Sequence, residues 1–402
     1  MLRVSSRSAV VRSLLSGIRR QSTKDATVED WTINPLELGE ENVSHMYCVP
    51  SGDVKTVFPT SLPSQFSTQT TSIGEMCWIL RRQSYQMMQE LKSFDATQPH
   101  NFRYLLYGAD GSGKTICLHQ VLHYCVKAGW LVVFVPGGLY YIYILCGPLI
   151  SSHSLIPLVF SWTHSDRELR PSTRVPGTFD QPDTATAWLK AFRTLNSHFT
   201  SQVQLSRDWQ WGKKDHSLAG EEMNKVIDMG LLKPALATDV VVALLEELVL
   251  SSGRFNIMLA VDEFNGSFSP TTLRNQQKEW VGPEQLNLIR CLLQHIPQFP
   301  GAVLLSLSRS RMLRCSAPGW TPDHLLNGGT VPNERKLESR AILDSCRAVE
   351  IPPYTRQEME RCLDYYSQRR WITTDVSQAV LNELWHLTSG CPKTLQRMCA
   401  SL

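Results

Sequence analysis

The chain has 402 residues, 42% of them hydrophobic, and a formal net charge of +3. That length and apolar content exclude a disordered or fibrous chain and suit two or three packed units. Arg3, Arg7, Arg12, Arg19, Arg20 and Lys24 fall in residues 1–24, which hold no acid, so 34 basic residues face 37 acidic ones in the remainder; a slightly acidic body does not wrap nucleic acid by charge alone.

The first 24 residues are rich in Arg and Ser. Val4, Val10, Val11, Leu14, Leu15 and Ile18 supply an apolar stripe. This is the composition of a mitochondrial transit peptide, with cleavage expected near Arg20 to Ser22; the bland alternative is a basic tail. The eleven cysteines form no C-x-x-C pair. They read as reduced core thiols of a matrix protein, forming neither a disulfide framework nor a metal site. Residues 25–73 carry Pro35, Pro50, Pro59 and Pro63 and a Ser/Thr/Gln-rich tract at 64–72, which predicts an extended N-terminal arm. Met76, Ile79, Leu80, Met87 and Leu91 predict an amphipathic helix over Gly74 to Phe94.

Residues 102–107 read as a buried strand, and 116–126 carry Leu118, Leu122 and Cys125 at helical spacing. Between them Gly108, Ala109, Asp110, Gly111, Ser112, Gly113, Lys114 and Thr115 spell G-x-x-x-x-G-K-[ST]. Such a loop wraps phosphate oxygens with backbone N–H groups at a helix N-terminus, where the lysine reaches the β- and γ-phosphates and the hydroxyl ligates Mg2+. The chance alternative is a Gly-rich turn, which the strand and helix on either side disfavour.

Leu131 to Val135 predicts the next parallel strand. Residues 129–165 then contain no Asp, Glu, Lys or Arg. A membrane span is disfavoured because Gly137, Gly138, Gly147, Pro148 and Pro157 interrupt the run. An inserted loop is the better reading. Residues 182–250 read as helical. Ile257 to Val261 followed by Asp262 and Glu263 gives an apolar strand ending in two carboxylates. Asp262 suits the Mg2+ shell, and Glu263 is the tentative catalytic base. Ala302 to Leu307 predicts another buried strand. Its end offers Ser306, Ser308 and Arg309 as phosphate sensors, Arg311 being a further choice, or else a solvated basic turn. Residues 315–340 read as loop. From Tyr354 onward two apolar stripes and a short terminal helix carrying Lys393 predict a helical lid. The resulting division is 1–24 leader, 25–73 arm, 74–345 P-loop core with 137–157 inserted, and 346–402 lid. The fold class is α/β, a mostly parallel sheet flanked by helices.

Several stretches resemble one family. They are Thr56-Val-Phe-Pro59 with Leu62, Pro63 and Phe66; Arg103 to Gly108 running into Gly113-Lys-Thr115; Phe179-Asp-Gln-Pro182 with Trp188-Leu-Lys190; Leu259-Ala-Val-Asp262; Thr271-Thr-Leu273; and Pro283-Glu284 with Leu286. Together they resemble the death-associated protein 3 family, GTP-binding proteins of the mitochondrial small ribosomal subunit. The resemblance implies an AAA+/STAND-like P-loop NTPase core and bound GTP or GDP with Mg2+, ATP remaining open because no Asn-Lys-x-Asp guanine selector follows the core strands. It implies mitochondrial small-subunit ribosomal proteins and rRNA as partners, contacts to the large subunit, apoptotic partners, and a place in the matrix on the mitoribosome. Two departures accompany it. Residues 137–157 exceed the family's short connection, and the family does not reliably keep an acid after Asp262, so hydrolysis is expected to be weak or absent.

Overall fold

Where an extended arm is expected, the N-terminal segment folds. The structure, a computed structural model, describes residues 31–58, 62–95, 102–137, 140–142, 158–160, 169–211, 215–251, 253–268, 271, 273–308, 341–373 and 376–400. The predicted leader lies outside them. Strand β1 (Met46–Val49) is followed by helices α1 (Ser51–Val57) and α2 (Ser64–Ile73). The Ser/Thr/Gln tract is thus helical. Its hydroxyls stay within the helix, Thr68 and Thr71 donating to the carbonyls of Ser64 and Ser67, and Gln69 is buried.

The predicted helix over Gly74 to Phe94 is two elements, β2 (Met76–Ile79) and α3 (Arg82–Lys92). All four residues of β2 are buried, and it pairs antiparallel with β1. A continuous apolar run with a partner strand outweighs helical spacing. Cys48 and Cys77 lie directly opposite in this pair, with Cα atoms 4.0 Å apart, and form a disulfide. This corrects the expectation that all cysteines are free, because register brings together two thiols separated by 29 residues.

Then come β3 (Arg103–Tyr107), α4 (Lys114–Lys127) and β4 (Leu131–Val135). Of the predicted insertion, Gly137 and the backbone of β5 (Tyr140–Ile142) are described; β5 pairs antiparallel with β6 (Leu158–Phe160). A small pair, β7 (Arg170–Pro171) and β8 (Phe179–Asp180), precedes α5 (Pro182–Leu195). The stretch predicted to be helical to residue 250 is interrupted by a hairpin of β9 (Trp209–Trp211) and β10 (Asp215–Ser217). Its alternation of Trp, Gln and Trp puts both indoles inward, and Trp209 Nε1 donates to buried Glu247 at 3.1 Å. Helices α6 (Met223–Leu232) and α7 (Pro234–Leu250) follow, then β11 (Ile257–Val261), α8 (Asn287–His295), β12 (Ala302–Ser306), β13 (Arg347–Glu350), α9 (Arg356–Gln368), α10 (Gln378–Thr388) and α11 (Pro392–Cys399). No helix among the described residues is long and apolar enough to cross a membrane.

The central sheet is parallel, in the order β13-β3-β12-β11-β4. Every residue of β11 and β12 is buried, as expected of strands covered on both faces. Side chains alternate between two cores. Leu105, Val133, Leu259 and Leu305 face α5, α6, α7 and α8. Leu106, Val132, Ala260 and Leu304 face α3, α4 and the β1/β2 pair. Helices α9 to α11 build a third core against β1 and β2. This layering leaves the carboxyl ends of β3, β11 and β12 side by side, which is where open α/β sheets hold their ligands.

Candidate functional site

Between β3 and α4 the chain makes a loop that requires glycine. Gly108, Gly111 and Gly113 have φ of 140°, 77° and 102°. Gly108 also lies so close to β13's exit that an added Cβ would sit 2.5 Å from the Ile351 carbonyl oxygen. At Gly111 a Cβ would come within 2.6 Å of Lys393 Cβ on α11. The loop is therefore clasped from behind by the chain leaving the sheet and from the side by the last helix.

Lys114 is the first residue of α4 and is buried. Its ammonium donates to the carbonyls of Gly108 and Ala109 at 3.1 and 2.8 Å. The Ser112 hydroxyl is buried within the loop with no hydrogen-bond partner among the described residues. Thr115 Oγ1 donates to Asp262 Oδ2 at 2.9 Å across 147 residues of sequence. The other carboxylate oxygen of Asp262 accepts from Ser306 Oγ. Ser306 Oγ in turn accepts from the Glu263 backbone N–H at 3.0 Å. The first turn of α4 and the ends of β11 and β12 thus meet at one carboxylate.

Glu263 adopts a left-handed φ of 51°, a conformation that non-glycine residues rarely hold. It packs on Gly137, where a Cβ would lie 2.6 Å from Glu263 Cγ. Ser308 is held by Asn265, which accepts from the Ser308 N–H and donates to its carbonyl, both at 2.9 Å. Asp110, Gly111, Gly113, Lys114, Thr115, Asp262, Glu263, Ser306, Ser308 and Lys393 all line one cavity of about 330 Å³. Gly108, Ala109 and Ser112 belong to the loop behind it. Lys393 Nζ pairs with Asp110 Oδ2 at 3.1 Å, and its backbone N–H donates to the Gly111 carbonyl at 3.2 Å. Arg309 lies outside the described residues, as do Arg311 and the loop predicted over 315–340.

One organising residue was missed. Arg81 follows β2 and is only 4% exposed. Its guanidinium donates to the carbonyls of Ser112, Pro352 and Pro353, lies 3.3 Å from the Glu358 carboxylate on α9, and sits over the Tyr354 ring. It ties the loop, the sheet exit and the C-terminal helices together. Nothing in the sequence separates it from its neighbour Arg82, which pairs with Glu40 in solvent. On the loop helix α4, buried His123 meets Asp53 of α1 at 3.0 Å and Tyr47 of β1. Burial pushes His123 down from its ordinary value of 6.5, against the bond to Asp53. Burial acts upward on Asp53, and the bonds from His123 and Lys127 outweigh it, holding that carboxyl below 3.8.

A buried ammonium and a hydroxyl–carboxylate pair thus meet at one glycine-rich loop, groups whose chemistry suits phosphate oxygens and a divalent cation. The model of the family described as mitochondrial ribosomal death-associated protein 3 matches residues 78–138 and 155–398, passing over most of the stretch predicted to be inserted. Small ribosomal subunit protein mS29 of Mus musculus is 31% identical over 375 residues, covering 92% of this chain and 88% of that protein. Its counterpart in Bos taurus is 30% identical over 375 residues, covering 92% and 87%.

Proposed function

The chain belongs to the mitochondrial ribosomal death-associated protein 3 family, and from that premise we propose that it is a structural component of the mitochondrial small ribosomal subunit that holds a guanine nucleotide with Mg2+ at the Gly108–Thr115 loop. The family is mitochondrial and ribosomal by its description, and the chain is a mitochondrial protein. Small-subunit proteins and rRNA are its partners in this reading, and contact with the large subunit belongs to the proposal too. A role in apoptosis enters on the family's death-associated description alone.

The observation that carries the nucleotide is the meeting of Thr115 and Asp262 beside buried Lys114. The strand order supports reading the core as a P-loop NTPase fold of AAA+/STAND type, because β12 lies between the loop strand β3 and the Asp262 strand β11. Lys114 and the loop amides would hold the phosphates, and Thr115 and Asp262 would hold the Mg2+, which when bound neutralises phosphate charge. Ser306 and Ser308 would orient these groups from β12's end, and Lys393 would report occupancy to α11.

Bound nucleotide stabilises the state that holds it, so its role here is to set the fold for assembly. Lys114→Ala should lower nucleotide retention and small-subunit incorporation together. Clean loss of nucleotide with normal incorporation would defeat the proposal. The strained Glu263 at the cavity rim favours a second reading, an active GTPase or ATPase switch. Multiple turnovers by purified protein, abolished in Glu263→Gln, would establish it; tightly held nucleotide without turnover is the outcome the structural reading expects.

A further inference from the structure

The cavity runs on from the loop into a chamber between α2 and the C-terminal helices, lined by Phe66, Trp78, Tyr354 and Tyr366. Phe66 stacks on Trp78 with centroids 6.1 Å apart. The charged lining residues, Asp110, Lys114, Asp262, Glu263 and Lys393, all belong to the loop end; the chamber offers only neutral groups.

Among those groups, three amides and a phenol fix one another. Gln396 Nε2 of α11 lies 3.0 Å from the backbone carbonyl of Gln65. A carbonyl only accepts, so the Gln396 atom facing it is the amide nitrogen. The same nitrogen lies 2.7 Å from the Gln69 side chain on α2, which must therefore present its oxygen. Tyr366 of α9 then donates to that oxygen at 3.0 Å. One backbone carbonyl thus sets the orientation of both glutamine amides. The Gln69 amide nitrogen and the Gln396 amide oxygen have no partner among the described residues, and both side chains line the cavity. The chamber therefore presents one fixed donor group and one fixed acceptor beside aromatic rings.

We propose that this chamber is the base subsite of the nucleotide site, and that Gln69 and Gln396 are the residues that bind the base edge. Gln69 donates to a base acceptor, Gln396 accepts from the N–H beside it, and the aromatic walls cover the ring. Guanine offers O6 next to N1–H, and adenine offers N1 next to its amino group, so both carry the required edge. The inference rests on the nucleotide reading above.

The test measures dissociation constants of the nucleotide-stripped full chain for GDP, ADP and inorganic pyrophosphate with Mg2+. Gln69→Glu keeps the oxygen that Tyr366 and Gln396 need and turns the remaining donor into an acceptor. GDP, ADP or both should bind wild type at least tenfold more tightly than pyrophosphate, and the tighter of the two is carried into the variants. Gln69→Glu should weaken that nucleotide about tenfold or more while pyrophosphate moves less than twofold. Tyr366→Phe, which loses only a hydroxyl, should weaken it three- to tenfold, and carries the test if Gln69→Glu does not fold. Nucleotide affinity unchanged in the folded variants, or falling in step with pyrophosphate, overturns the base subsite. Wild type that binds all three ligands alike overturns the subsite and leaves the phosphate site standing. Wild type that binds none of them overturns the nucleotide reading as well.

Discussion

At the loop end of the cavity, the side chains hang from the first turn of α4 and from the carboxyl ends of β11 and β12, and Thr115 and Ser306 both bond to Asp262. At the chamber end they hang from helices distant in sequence, α2, α9 and α11, joined by single bonds through Gln69 and Gln396. The first end is positioned by a sheet buried on both faces. The second depends on how the C-terminal helices dock. Arg81 is where the two meet, because one guanidinium reaches both the loop and α9. A ligand spanning both ends would have a rigid anchor and an adjustable cover.

The largest effect should come from cutting that junction. Removing one member of a buried, hydrogen-bonded ion pair leaves the other uncompensated and costs about 3–5 kcal/mol. Arg81→Ala should lower the denaturation midpoint accordingly, and amide exchange in α9 to α11 should rise more than in β11 and β12. Equal loosening everywhere would erase the contrast between the two ends. Next, Thr115→Val removes the hydroxyl that meets Asp262. It should abolish the tightening of nucleotide binding by Mg2+, a loss of tenfold or more (about 1.4 kcal/mol), and lower fold stability without nucleotide by about 1–3 kcal/mol because buried Asp262 loses a donor.

Acid should loosen the anchored end from below. The folded pKa of His123 is depressed by burial, so below about 6.5 the unfolded chain binds a proton that the folded chain refuses. Stability is therefore full above that pH and falls as pH drops toward the folded value. Asp53, also depressed, adds a further loss below 3.8. Unfolding free energy measured from pH 7.5 to 5 should decline, and His123→Gln should flatten the slope. The smallest effect belongs to the cover. The Lys393–Asp110 pair is half exposed on both sides, so Lys393→Ala should change stability by less than about 1 kcal/mol and show itself only in faster nucleotide release.

The same contrast explains what could be read from residues alone. Gly108 to Thr115 is contiguous, and its chemistry follows from spacing. Asp262 and Ser306 each end a buried apolar run, so topology delivers them to the loop. Arg81, Gln69 and Gln396 carry no such mark, because their roles arise only when α2, α9 and α11 pack beside β2. The misread elements fail for related reasons. Met76, Ile79 and Leu80 mimic helical spacing until β1 supplies a partner strand. The tract at 64–72 is polar enough to read as an arm, yet a helix needs only one packed side, which Phe66 and Gln69 provide. The Cys48–Cys77 pairing depends on register, which spacing does not reveal.

The most direct measurement is the mass of the small molecules released from protein purified under native conditions with Mg2+. A near-equimolar guanine nucleotide in wild type, absent from folded Lys114→Ala, is the result predicted here. Folded wild-type protein that carries no nucleotide and takes up none when GDP or GTP is supplied with Mg2+ would contradict the account.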